Sequence, residues 1–202
     1  MPTTYVSPKK PNPQNRNRAH QKVALIGDSI TELSGYPNRA TKILGPNYTI
    51  GNFGACGTTV SLDSYSPYLR TEAFVEAKNF QPDIAVIMLG TNDADSNSHF
   101  SRSHFIADYI TLIEQLQTLS SKPRVYLVKP PPLFNDWAGL SGEVLIKEII
   151  PALVLIAKKA NLPVIDVYSV LSKPSYFFEG VHPNDLGAKV MAKVICQAIT
   201  LN

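Results

Sequence analysis

The stretch DIAVIMLG at residues 83–90 decides the fold. From Ile84 to Leu89 the side chains are apolar without a break, and a glycine ends the run. A strand wetted on one face would alternate apolar and polar residues; an unbroken run means burial on both faces, as in a parallel sheet covered by helices on each side.

Working outward, KVALIG (22–27) is a second run of this kind, again stopped by glycine. YTIGNFG (48–54), RVYLVKP (124–130) and LPVIDVY (162–168) complete a set of five strands. Helical spacing fills the gaps. Pro37–Leu44 has Pro at its start and Gly45 after its end. Ser66–Phe80 repeats Tyr68, Leu69, Ala73, Phe74 and Ala77, and Ser103–Ser120 repeats Ile106, Tyr109, Ile110, Ile113 and Leu116. Glu143–Ala160 is helical in pattern, with Pro151 expected to kink or divide it. Asn184–Leu201 is an amphipathic helix. Strands alternating with helices five times predict an α/β three-layer sandwich around a parallel sheet. Residues 1–21, polar and rich in proline, are expected to form a tail, leaving one domain over 22–202.

The bulk properties narrow the function. The chain has 202 residues, 44% hydrophobic and 17% charged, and a formal net charge of +3. That is ordinary globular composition with no nucleic-acid footprint; the basic cluster Lys9–Lys22 is diluted by Pro and Asn and reads as a solvated tail. Cys56 and Cys196 fit no metal spacing, and His99 and His104 have no companion ligands. No run reaches the length of a membrane span, so no membrane insertion is expected. Residues 1–21 show no apolar leader segment, and the expected location is the cytoplasm.

In a parallel sheet the chemistry sits just beyond the carboxyl ends of the strands. Gly27-Asp28-Ser29 follows the first strand, Asn52-Phe53-Gly54 closes the second and runs into ACGTT, and Gly90-Thr91-Asn92-Asp93 follows the third. Glu179-Gly180-Val181-His182-Pro183 precedes the last helix. Together they supply a hydroxyl, backbone N–H groups beside glycines, a carboxamide donor, and an imidazole with a carboxylate three residues upstream. These are the parts for acyl transfer. A serine hydroxyl needs a base to take its proton, and imidazole titrates near neutrality. The ring needs a carboxylate behind it, and the oxyanion needs fixed donors: the N–H groups of Ser29 and Gly54 and the Asn92 side chain. Asp28 reads as a structural hydrogen-bonding group of the turn, and Asp93 as a supporting one.

GDSI (27–30), NFG (52–54), GTND (90–93) and EGVHP (179–183) resemble, in order, the four blocks of the SGNH or GDSL hydrolase superfamily, across nearly the whole predicted domain. The resemblance implies a flavodoxin-like five-stranded parallel sheet of order 2-1-3-4-5, esterase chemistry, and no metal or organic cofactor. It implies Ser29 as nucleophile, His182 as base, and Gly54 and Asn92 as oxyanion donors with the Ser29 N–H. One position departs from the pattern: the acid three residues before the histidine is Glu179 where the family usually has Asp. Glutamate serves in Ser-His-acid triads on other folds, so Glu179 is expected to complete the triad, although some members of the superfamily use a backbone carbonyl there.

The walls of a substrate pocket are expected from Thr31–Pro37, Thr58–Pro67, Ala94–His104 and Pro130–Leu140. In the last, Phe134 and Trp137 either stack on a sugar ring or close a hydrophobic wall. LGTNDAD, EGVHPN and NFGACGTT look most like the carbohydrate or sialate O-acetylesterase branch, which implies a small-molecule ester with a short acyl group. The alternatives are a lysophospholipase, acyl thioesterase or arylesterase of the same superfamily, and a non-catalytic binding module retaining the fold.

Overall fold

The five apolar runs are the strands of one sheet in the computed structural model, which describes residues 20–95, 100–135 and 139–201. In chain order the elements are β1 (Gln21–Gly27), α1 (Ser29–Leu33), α2 (Tyr36–Leu44), β2 (Tyr48–Gly54), α3 (Glu72–Asn79), β3 (Ile84–Met88), α4 (Arg102–Gln117), β4 (Arg124–Lys129), α5 (Gly142–Val144), α6 (Ile150–Ala160), β5 (Val164–Asp166), α7 (Val167–Val170) and α8 (Asp185–Thr200). The strand order is β2-β1-β3-β4-β5 and every pairing is parallel, as the sequence predicts. Gly27 pairs with Gly54 on one side and Met88 on the other, so the ends of β1, β2 and β3 share one rim.

Alternation along the strands feeds two cores. Ala24, Ile26, Ala85 and Ile87 meet Phe74 of α3, Tyr109 and Leu112 of α4, and Leu153 of α6. Val23, Leu25, Ile84 and Val86 meet Tyr36 of α2 and Met191 and Ile195 of α8. Every residue of β3 is therefore buried, which is why its sequence shows no alternation. Each such side chain contributes roughly 1.5–3 kcal/mol when fully buried.

Three of the expected elements differ in the structure, and the expected break near Pro151 is present. The helix expected over Ser66–Phe80 is a 3₁₀ turn at Tyr68–Arg70 followed by α3. Thr71 between them is extended, and its hydroxyl accepts the Phe74 N–H at 3.2 Å, so it caps a new helix instead of continuing the old one. The Glu143–Ala160 pattern is divided: α5 passes into a π-helical turn at Leu145–Ile149 before α6. Pro151 lies in the first turn of α6 and has no N–H to give the Lys147 carbonyl; the Arg102 guanidinium donates to that carbonyl at 3.0 Å. The strand expected over 162–168 is only three residues long, because Asp166 caps α7 by accepting the Ser169 N–H at 2.9 Å. Finally, β1 begins at Gln21, one residue inside the expected tail.

Candidate active site

The turn after β1 shapes the first component. Asp28 caps α1: its Oδ1 accepts the Ile30 N–H at 2.9 Å and its carbonyl accepts the N–H of Thr31 and Glu32. Ser29 is thereby the first residue of α1, at the strand-end rim, where a helix N–H has no acceptor within the helix. Asp28 is buried, which pushes its carboxyl up to about 6 against the lowering effects of the Ile30 N–H, the Thr91 hydroxyl and the His182 charge. Among the described residues, Asp28 Oδ2 and Thr91 Oγ1 have no partner within hydrogen-bond geometry.

Ser29 Oγ lies 3.0 Å from His182 Nε2, although 153 residues separate them in sequence. On the far side of the ring, Nδ1 is hydrogen-bonded to Glu179 Oε1, which also accepts the His182 backbone N–H at 3.2 Å. An ionised carboxylate only accepts, so Nδ1 carries the ring proton, Nε2 is the acceptor, and the Ser29 hydroxyl donates to it. The extra methylene of Glu179 is absorbed within a tight loop, where the Phe178 N–H donates to the His182 carbonyl at 3.0 Å. The chain after β4 pins this loop from outside: Asn135 Nδ2 donates to the Glu179 carbonyl at 2.9 Å and the Phe134 N–H to the Gly180 carbonyl at 2.9 Å. Asn135 went unnoticed in the sequence, since an asparagine after a proline run reads as an ordinary turn residue.

One of the expected donors beside the serine is already engaged. The Gly54 N–H is committed to Asn52 Oδ1 at 3.1 Å, and Asn52 Nδ2 in turn donates to the Glu32 carbonyl at 3.3 Å. A Cβ on Gly54 would lie 2.3 Å from the Glu32 nitrogen. Gly54 is thus a glycine because α1 packs against it, and its N–H is aimed at Asn52. Gly57 has φ +71, a conformation that favours glycine, and it lines a cleft together with Asn92. Asn92 Nδ2 donates to the Thr58 carbonyl at 2.9 Å, which holds the carboxamide beside Gly57. Gly54 closes β2 and Gly57 follows it three residues on, and only the backbone angles and packing tell them apart.

The cleft has a volume of about 670 Å³. Its walls come from residues 57–66, 92–95 and 100–105, with Leu140. Those are two of the four expected segments and the end of a third. Asp93 builds one wall: its carboxylate accepts the Val60 N–H at 2.9 Å and the Ser61 N–H at 3.0 Å. Burial pushes the Asp93 carboxyl up to about 6; those N–H groups lower it and the Asp28 charge raises it further. Phe134 does not line this cleft. Its ring packs edge-on against Phe177, with centroids 5.2 Å apart. Trp137 lies outside the described residues, as does His99.

A parallel α/β sheet that aligns hydroxyl, imidazole and carboxylate at its strand ends has the architecture of a serine hydrolase. Residues 25–190 match the GDSL-like lipase/acylhydrolase family, and the chain belongs to this family of ester-hydrolysing enzymes. It is 31% identical over 205 residues to an acetylxylan esterase of Xylanibacter ruminicola, covering 88% of this chain and 43% of that protein. It is 32% identical over 123 residues to a multidomain esterase of Ruminococcus flavefaciens, covering 57% of this chain and 15% of that one. The chain thus spans less than half the length of either curated relative. In fold it resembles the inhibitor-bound aryl esterase of M. smegmatis, with a TM-score of 0.75 at 18% identity over 90% of this chain and 99% of the other.

Proposed function

We propose that the domain is a serine esterase that removes short acyl groups, chiefly acetyl, from carbohydrate hydroxyls. The observation that carries this reading is the line from Ser29 Oγ through His182 to Glu179. Ser29 Oγ attacks the ester carbonyl as His182 Nε2 takes its proton, and Glu179 stabilises the imidazolium. The N–H groups of Ser29 and Gly57 and the Asn92 carboxamide donate to the tetrahedral oxyanion. Collapse expels the sugar alkoxide, which receives the proton from His182. Water then attacks the acyl-serine with His182 again as base, releasing the acid and restoring the Ser29 hydroxyl. Two facts support a sugar as the alcohol: the cleft beside Asn92 is lined by Thr59, Ser61, Ser64 and Asp63, and a relative is named an acetylxylan esterase.

The test is a chain-length series of p-nitrophenyl esters. Wild type is expected to hydrolyse the acetate and to lose rate steeply beyond butyrate. Ser29→Ala is expected to lower kcat by at least about 10³ with its circular dichroism unchanged. Full activity in Ser29→Ala would overturn the nucleophile, and a preference for long chains would overturn the acyl specificity.

A further inference from the structure

The loop at 58–67 is held at every level. The Thr59 N–H donates to the Ser66 carbonyl at 3.0 Å, and the Tyr68 N–H to the Thr59 carbonyl at 2.8 Å. The Thr59 and Ser64 hydroxyls bond each other across the loop. Asp93 takes the N–H groups of Val60 and Ser61, and Asp108 takes that of Leu62 at 2.8 Å. On this anchored frame the Tyr65 ring is fully exposed while lining the cleft that runs to Asn92. Exposing so large a ring to water contributes nothing to folding, and a chain collapsing for stability alone would turn it inward. Beside it, Asp63 Oδ2 and His104 Nδ1 pair at 3.1 Å across the mouth of the same cleft.

We propose that Tyr65 is the platform of a sugar-binding subsite, on which a pyranose ring of an acylated oligosaccharide stacks while its hydroxyls bond Ser61, Ser64 and Asp63. The inference rests on the esterase reading for the position of the reacting acyl group. An amphipathic ring on a loop whose backbone is already tied down binds at a reduced entropic cost, since only the ring's two torsions need ordering. The polar neighbours suit a polyol and not an acyl chain. The subsite therefore sets preference for the alcohol part of the substrate and leaves the reacting atoms untouched.

The experiment compares Tyr65→Ala and Tyr65→Phe with wild type on acetylated xylo-oligosaccharides and on p-nitrophenyl acetate. Tyr65→Ala is expected to lower kcat/KM for the oligosaccharide about tenfold, mainly through KM, and to leave p-nitrophenyl acetate unchanged. Tyr65→Phe is expected to keep most of the oligosaccharide activity, because the ring remains. Equal effects on both substrates, or none on either, would overturn the subsite. Calorimetric titration of acetylated oligosaccharide into Ser29→Ala and into Ser29→Ala/Tyr65→Ala separates this proposal from the chemistry. Binding that weakens about tenfold with Tyr65 supports the platform even if no ester is cleaved, and unchanged binding sinks it even if acetate is released.

Discussion

Glu179 is the residue at which this chain leaves the usual pattern of its family, and the loop around it explains how it still reaches the ring. Its carboxylate accepts from both the ring Nδ1 and the backbone N–H of His182. A glutamine in its place can turn its NH₂ toward Nδ1, which moves the ring proton to Nε2 and leaves no acceptor for the Ser29 hydroxyl. Glu179→Gln is therefore expected to lower kcat on p-nitrophenyl acetate by about 10³–10⁴, with KM little changed. A loss below tenfold would mean that the carboxylate does not set the tautomer. The placement of Ser29, His182 and Asn92 was legible in the sequence because Ser29 and Asn92 follow strands and His182 lies just ahead of the last helix, and a parallel sheet brings those points to one rim. The engagement of Gly54 was not, because it depends on the Asn52 side chain and on the close approach of Glu32.

At the scale of elements, continuous apolar runs announced β1, β3 and β4, whose residues are buried on both faces, while the edge strand β2 was marked by its β-branched and aromatic residues. Of the breaks within helical stretches, the one near Pro151 was legible in the proline itself and the one at Thr71 was not. Apolar spacing persists through Thr71 and through the π-helical turn before Pro151, while hydrogen bonds local to those points interrupt the helix. The end of β5 is likewise set by one side chain, Asp166, which also pairs with Lys129 at 2.8 Å. Connections between elements hold the site as well. The segment after β4 reaches the histidine loop through Asn135 and Phe134, a pairing of residues more than forty positions apart that no local pattern encodes. Asn135→Ala removes the bond to the Glu179 carbonyl and leaves the core intact. Its expected effect is a loss of about 1 kcal/mol or less in stability by urea denaturation. The fall in kcat should be about tenfold, because the base is less firmly held. Unchanged kcat would make Asn135 a structural tie only.

Across the whole molecule, the cost of building the site falls on two buried carboxyls. Asp28 shapes the serine turn and Asp93 anchors the cleft wall, and each is pushed up to about 6 chiefly by burial. In the unfolded chain both would lose their protons near the ordinary carboxylate value of 3.8. Between about pH 4 and 6 the native state therefore holds more protons than the unfolded state, and stability falls as pH rises through that window before levelling off. The size for one such carboxyl is roughly 2–3 kcal/mol, and the two do not simply add, because the charge on Asp28 raises Asp93. Asp93→Asn keeps an oxygen for the Val60 and Ser61 N–H groups and removes the titration. Urea denaturation of wild type and variant from pH 4 to pH 7.5 isolates this contribution, since the exposed groups common to both cancel. The variant is expected to gain on wild type by roughly 2 kcal/mol as pH rises through the window. Parallel stability curves would mean that Asp93 is ionised at little cost in the fold, and that the wall of the cleft is held by a charge the protein accommodates freely.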